Sequence, residues 1–434
     1  MKLLVVGSGG REHALVWKLK QSPRVEKIYC APGNGGISAI ADCAPIAADD
    51  VEALADFAQT EKIDLTIVGP ERPLTLGLVD RFAERGLAAF GPSKAAAELE
   101  GSKIFAKQFM QRHAIPTAGF EVYDAYAEAV NHVNESHIDF PLVIKADGLA
   151  AGKGVIMAST PAEAQTALRQ MMGEKIFGEA GRRVVIEECL TGEETSFMVF
   201  SDGEFVQPLA AARDYKRIYD DDQGPNTGGM GAFSDDDLLS RATRKLILDR
   251  IVYPTIHGMA AEGRPYKGVL YVGLMLTSAG PKVLEFNARL GDPETQVVLP
   301  RLESDLLPVL EAVTNETLFK TELQWSRKAA LSVVLASAGY PGPYEKDRLV
   351  TGVDMAEEED NVVVFHSGTR RESDRYYTNG GRVLAVTALG NDLSAAIIKS
   401  YEAVNKIHFD GMHCRRDIGA RGLRRIRMPD SIHD

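Results

Sequence analysis

Cysteine is scarce. The 434 residues hold only Cys30, Cys43, Cys189 and Cys414, far apart and with no C-x-x-C, which argues against a zinc cluster or a disulfide scaffold and fits a reducing compartment. Positive charge is also in deficit. Lys and Arg number 49 against 61 Asp and Glu, a formal net charge of −12, so extended nucleic acid or an anionic membrane is a poor partner and any anionic ligand must be held by local positive groups. Long apolar runs are missing too. There is no stretch of 18 uninterrupted apolar residues, and the opening MKLLVVGSGG has too short a run for a signal-peptide core, so no membrane span is expected and the cytoplasm is the expected location. No internal repeat of useful length appears.

What is present is the balance of a globular chain, 45% hydrophobic and 25% charged, long enough for about three units. Only the tail RGLRRIRMPDSIHD looks loose. Residues 3–6 (LLVV) form a buried-strand run, followed by a glycine turn and the helical REHALVWKLKQS, with Ala14, Leu15, Lys18 and Leu19 close to one face. KIYCAPG, DLTIVGPE and LAAFGPS repeat the strand pattern, so residues 1–104 read as a doubly wound α/β domain. Residues 105–328 are less regular and suit an α+β region with a smaller lid at about 121–190; helices are expected at PAEAQTALRQMM and ATRKLILDRIVYPTIHGMAAEG. A third α+β unit, 329–434, carries the strand GRVLAVTALG and a helix with Leu393, Ala396, Ile397, Tyr401 and Val404 on one stripe.

VVGSGGREHA is not a dinucleotide fingerprint. Gly7 and Gly9 match the first two glycines of G-x-G-x-x-G, but Glu12 stands at the third, and no acid ends the second strand to hold a ribose hydroxyl. The turn is either a phosphate-monoester site at a helix N-terminus or a tight turn needed for packing. TNGGRV, with Gly380, Gly381 and Arg382, either reaches the same cleft from the third unit or is an ordinary hairpin.

In KADGLAAGKGV, Lys145 ends a strand, and Gly148, Gly152 and Gly154 surround Lys153. The spacing is not that of a P-loop, since glycine follows the lysine. The loop reads as a mobile cover over a triphosphate, or as a surface hairpin. At an effective dielectric of about 20, a lysine about 4 Å from one phosphate charge contributes roughly 4 kcal/mol before desolvation. Lys103, opening a helix after EGS, is a second phosphate candidate or a solvated residue.

KVLEFNARLGDPETQ is the densest constellation. Period-two alternation sends Leu284, Phe286 and Ala288 to one face and Glu285, Asn287 and Arg289 to the other. A Glu and Asn pair suits magnesium when a nucleotide supplies further oxygens, and Arg289 suits a carboxylate or phosphate. In DYKRIYDDDQGPNTGGMGAFS, Asp214 could meet a substrate amine, while Asp220, Asp221 and Asp222 read as a solvated loop.

GGREHA, APGN, GPE, EGSK, IKADGLAAGKGV, IEE, GPNTGGMGA, EFNARLGDPETQ, TNGGRV and CRRDIG occur in this order over nearly the whole chain. Together they resemble the phosphoribosylamine–glycine ligase family of the ATP-grasp superfamily. The resemblance implies a pre-ATP-grasp domain, a grasp domain with a swinging lid and a C-terminal domain closing the cleft. It implies that ATP, glycine and 5-phosphoribosylamine give glycinamide ribonucleotide, ADP and phosphate through glycyl phosphate, in de novo purine synthesis.

Carried over by position, Lys103, Lys145, Gly152, Lys153, Gly154, Glu187, Glu188, Leu190 and Glu193 belong to ATP. Glu285 and Asn287 hold Mg²⁺ or Mn²⁺. Asp214, Thr227, Gly228, Gly229 and Arg289 match the glycine and reacting centre, with Lys145, Asp214 and Arg289 as catalytic residues; Gly9, Gly10, Glu71, Gly380 and Gly381 match the phosphoribosylamine side. The strand LYVGLML has no carboxylate where many ATP-grasp enzymes place another metal ligand, which argues against a second magnesium. A monomer, with transient contact to neighbouring pathway enzymes left open, is the expectation.

Overall fold

The computed structural model describes residues 1–149 and 154–427. Its first sheet is parallel, in the order Asp42–Cys43, Lys27–Pro32, Lys2–Gly7, Leu65–Val68, Ala89–Phe90. Leu3, Leu4, Val5 and Val6 are all buried, as a strand covered on both faces requires. The order reverses beside Lys2–Gly7, so the loop after that strand lies at the switch point, where open α/β sheets bind ligands.

Two antiparallel sheets follow. The smaller has the order Phe120–Tyr123, Val184–Glu188, Leu142–Ala146, Val155–Ala158. Helices Tyr126–Val133 and Pro161–Leu168 cover one face of it, placing Ala129, Val133, Ala164 and Leu168 in one core with Ile144 and Ile186. The larger has the order Val206–Pro208, Glu193–Asp202, Lys267–Thr277, Gly280–Asn287. The last pair slips register: Gly273 faces Glu285 and Leu274 faces Val283, so Leu284 is the extra residue of a bulge. Leu284 is consequently only half-buried, whereas Phe286 and Ala288 are buried as expected.

A third antiparallel sheet joins Arg213–Asp214 and Gly231–Ser234 to Ala329–Ala336, Arg382–Gly390 and Val362–His366. The glycine-rich stretch between its first two strands is thereby built onto strands more than a hundred residues downstream. The long helix expected over 242–263 is interrupted: Arg241–Ile247 and Tyr253–Ala261 are joined by a π-turn at Leu248–Val252. Pro254, which has no N–H to donate, sits just after the wider turn. The helix expected over 161–172 likewise ends at Leu168 and widens into a π-turn. Among the described residues no helix is long and apolar enough to cross a membrane.

Candidate active site

Lys145 lies on the central part of the smaller sheet, between Val155 and Val185 on the flanking strands. Its ammonium is 2.9 Å from Glu187 Oε1 and donates to the Leu284 carbonyl at 3.0 Å. The bulge that leaves Leu284 out of the ladder frees that carbonyl. The other oxygen of Glu187 is 2.8 Å from Lys107 Nζ, which also donates to Thr117 Oγ1, and Thr117 in turn donates to the Val283 carbonyl. Glu187 is 2% exposed. Its carboxylate is thus an anchor for two lysines and is not free to meet a nucleotide. Burial pulls Lys107 down to about 8, with Glu187 opposing.

The helix Lys103–Arg112 begins with Ser102 as cap, its hydroxyl accepting from Phe105 N and donating to Asp147 Oδ1. Asp147 also accepts from Ile104 N and from Arg183. This acid of KADG fixes the start of the glycine loop against the helix that carries Lys103. Lys103 donates to the Gly148 carbonyl at 2.9 Å and is shifted down by burial, Glu285 acting the other way. Gly154 is described; Gly152 and Lys153 lie outside the described residues. Glu188 accepts from Gly119 N and Lys282, which hold its carboxylate below the usual range. Leu190 is half-buried, and Glu193 pairs with Arg213 at 2.7 Å.

Glu285 and Asn287 share the face predicted for them. Burial disfavours the charge of Glu285, yet Lys216, Lys145, Lys103 and Arg289 together hold its carboxyl below the usual value. Three of these cations have further carboxylate partners, and their gathering beside Glu285 suits a polyanion placed there. Arg289 is fixed from three sides: Glu71 at 3.2 Å, Glu100 at 2.9 Å and Asn287 Oδ1 at 3.3 Å. Glu100 also accepts from Ala288 N and, by burial, is pushed up to about 7. Sequence reasoning missed Glu100, although it sits in the EGSK stretch.

Beside the cations is a group of acids. Asp214 is pushed up to about 7 by burial, with Lys216 opposing and Glu294, Glu194 and Glu285 adding to the rise. Glu294 is 3% exposed and accepts from Ser196 Oγ and Tyr271 Oη. Lys216 lies 3.3 Å from Glu194 and is raised mainly by it. Lys216 and Glu294 were not singled out from the sequence. Both lie inside quoted motifs, but nothing in spacing told them from solvated neighbours.

At the switch point, Glu12 explains the missing third glycine. Its carboxylate accepts from Gly9 N at 2.6 Å and pairs with Arg11, and a Cβ on Gly7 (φ +128°) or Gly69 would collide with it. The Gly9 amide is therefore used within the loop, a contact that belongs to the tight-turn alternative. A Cβ on Gly10 would strike Gln296 and Ser367, and one on Gly9 would come 3.1 Å from Asp292 Oδ2. Asp292, also unanticipated, is paired with Arg382 at 3.3 Å and accepts from Gln296.

Arg382 donates to the carbonyls of Gly228 and Asp292. Gly228 N donates to Tyr340 Oη, and Thr227 bridges the Lys216 carbonyl and Gly229 N. Gly380 packs on Gly368 and Gly381 on the Tyr340 ring. The turns at Gly9 and Gly380 and the GPNTGGMG stretch therefore converge, and the smallness of Gly380 and Gly381 is a packing requirement.

Three family models match the chain: phosphoribosylglycinamide synthetase N domain over residues 1–100, ATP-grasp (A) domain over 101–295 and C domain over 330–421. A phosphoribosylamine–glycine ligase of Halalkalibacterium halodurans is 51% identical over 423 residues, covering 98% of this chain and 97% of its own. The ligase of Allochromatium vinosum is 51% identical over 430 residues, 98% of this chain and all of its own. Among solved structures, a phosphoribosylamine–glycine ligase of Thermotoga maritima superposes with a TM-score of 0.83 at 34% identity, over 96% of this chain and all of that one. A biotin carboxylase of Campylobacter jejuni, solved as a beta-gamma-ATP complex, shares the fold at 16% identity, with a TM-score of 0.73 over 99% of this chain and 95% of its own.

Proposed function

The chain belongs to the phosphoribosylamine–glycine ligase family, and from that premise we propose how its own residues divide the work. It is an ATP-dependent ligase of purine biosynthesis that joins glycine to 5-phosphoribosylamine and gives glycinamide ribonucleotide. The observation that carries the residue assignment is the meeting of the cation ring around Glu285 with the acid group at Asp214. One side suits a triphosphate and the other an ammonium group.

A glycine carboxylate does not react with an amine, so it first attacks the γ-phosphorus of ATP, releasing ADP and forming glycyl phosphate. The amine of phosphoribosylamine then attacks the carbonyl carbon and phosphate leaves. Lys103 and Lys145 face the phosphates, the backbone of 187–190 faces the adenine, and Glu193 faces the ribose. Arg289, immobilised by Glu71 and Glu100, presents a fixed charge to the acyl phosphate as it forms, a preorganised electrostatic contribution. Asp214, Lys216 and Glu294 line the glycine pocket. Asp292, Arg382 and the turns at Gly9, Gly228 and Gly380 line the phosphoribosylamine side.

Glu285 and Asn287 would hold a divalent ion, Mg²⁺ by their hard oxygen donors, which neutralises phosphate charge when bound. Phosphate oxygens and water would complete the shell of such an ion. Because all three units of one chain supply the site, a monomer acting in the cytoplasm meets the requirement.

The test is ADP release with Mg-ATP, adding glycine and freshly generated phosphoribosylamine singly and together. Release that needs both, with glycinamide ribonucleotide seen by mass, is the expected result; release that needs neither overturns the assignment.

A further inference from the structure

The stretch that carries Asp214, Lys216, Thr227, Gly228 and Gly229 projects as a hairpin, Arg217–Tyr219 paired with Gln223–Asn226. Its tip, expected to be a solvated acidic loop, is Asp220–Asp222. Asp221 and Asp222 both have left-handed backbones, φ +55° and +54°, an arrangement that side chains other than glycine rarely adopt in succession. Something must hold it.

The holder is the segment 413–421. Arg415 is fully buried. Its guanidinium forms a two-bond fork with Asp417 at 2.7 and 2.6 Å, donates to Asp222 Oδ1 at 2.8 Å and to the Arg217 carbonyl at 3.1 Å, and stacks 4.9 Å from the centre of the Tyr215 ring. Around it, Arg416 N donates to Asp220, Asp221 N to Asp417, and Gly419 N to Tyr215 Oη, while Arg421 pairs with Asp222. Tyr215 stands between Asp214 and Lys216 in the chain.

We propose that Arg415 is a positioning residue for glycine: by clamping Tyr215 and the strained hairpin tip, it sets where Asp214 and Lys216 stand in the pocket, without touching substrate itself. A planar five-donor fork is what the geometry uses, so lysine is a poor replacement. The inference rests on the assignment of Asp214 and Lys216 to glycine given above.

The test compares Asp222→Asn, Arg415→Lys and Asp214→Asn in the full-length enzyme, measuring kcat and the KM values for glycine and ATP, with denaturant unfolding to confirm the folded fraction. Asp222→Asn takes the charge from one arm of the clamp and breaks its pairing with Arg421 at a partly exposed site, so it decides the matter even where Arg415→Lys does not fold. The expected result is a glycine KM raised tenfold or more in Asp222→Asn, with the ATP KM within twofold of wild type. A clamp with only a structural role would lower the folded fraction and leave both KM values in place, and that outcome overturns the proposal. An unchanged glycine KM in Asp214→Asn removes the pocket assignment and the proposal with it. A raised value there beside an unchanged one in Asp222→Asn overturns the clamp alone.

Discussion

Replacing Glu187 by glutamine strands two lysines in a site almost closed to water. At 2.9 Å from Lys145 and 2.8 Å from Lys107, each contact contributes about 6 kcal/mol at an effective dielectric of about 20, before desolvation is counted. Desolvation takes back much of this, and loss of one partner from a buried pair typically costs about 3 to 5 kcal/mol. That is the expected destabilisation at neutral pH. Lys107 has an escape. It already sits at about 8 with Glu187 beside it, and without that anion it falls further, so the folded variant sheds the proton that an unfolded lysine, of pKa about 10.4, keeps. The unfolded state then binds more protons, and stability of the variant rises with pH by up to about 1.4 kcal/mol per unit between about pH 6 and 7, where this group leaves the wild type flat.

A second substitution separates stability from catalysis. Lys107→Met in the Glu187→Gln background removes the stranded cation and should recover a large part of the lost stability. Turnover should stay low, down about tenfold (about 1.4 kcal/mol), because Lys145 keeps only neutral acceptors, the Leu284 carbonyl and the substituted amide, in place of its ion pair. Denaturant unfolding at both pH values and steady-state ADP release measure the two effects. If Glu187→Gln costs under about 1 kcal/mol and keeps wild-type turnover, the buried triad has no positioning role.

Lys145→Ala should lower turnover by roughly 10² or more, the scale for losing one preorganised charge at a reacting oxyanion; a folded variant that keeps most of its turnover removes Lys145 from the mechanism. Asp214, raised to about 7, is ionised only above that pH, so kcat/KM for glycine should fall as pH drops through 7, and Asp214→Asn should abolish that limb of the profile. Burial brings His13 down to about 3, and its Nδ1 accepts from His366 N. Unfolded histidine gains its proton near about pH 6.5, so this site should cost the fold about 2 kcal/mol by about pH 5. His13→Gln, which keeps an acceptor, should remove that contribution from urea-measured stability between pH 7 and 5 and leave the like-signed one of the buried His366; an unchanged slope counts against it.

How much of this was legible in the sequence depends on what each feature needs. Strand alternation is local, so the shared face of Glu285 and Asn287 and the apolar run of Leu3 to Val6 could be read directly. The bulge at Leu284 could not, because it is a mismatch between two strands and leaves no mark in either one. The same holds for the π-turns, although Pro254 hinted at one. Glu187 shows the limit of carrying a residue over by motif: its place in IEE was legible, whereas the double ion pair that ties its carboxylate away from a ligand depends on Lys107, eighty residues earlier. Asp220 and Asp221 are exposed, as three acids in a row suggest, whereas the pairing of Asp222 with Arg415, nearly two hundred residues on, left no mark in the sequence.

These misses share a physical cause. The chain carries net negative charge, yet it must hold a triphosphate beside an amine, so it gathers Lys103, Lys145, Lys216 and Arg289 in one place and then has to keep them apart and pointed. Each is tethered by an acid or a carbonyl: Lys145 by the buried Glu187, Arg289 by Glu71 and the buried Glu100, Lys216 by the exposed Glu194, Lys103 by the Gly148 carbonyl. Cations that touch substrate announce themselves in the motifs. The acids that aim them lie on other elements, selected by distance in the folded chain, and from spacing alone an acid such as Glu100 or Glu294 looks like any other. It follows that substitutions in these tethers should split stability from turnover, as at Glu187, whereas substitutions in the cations should lower turnover with the fold intact.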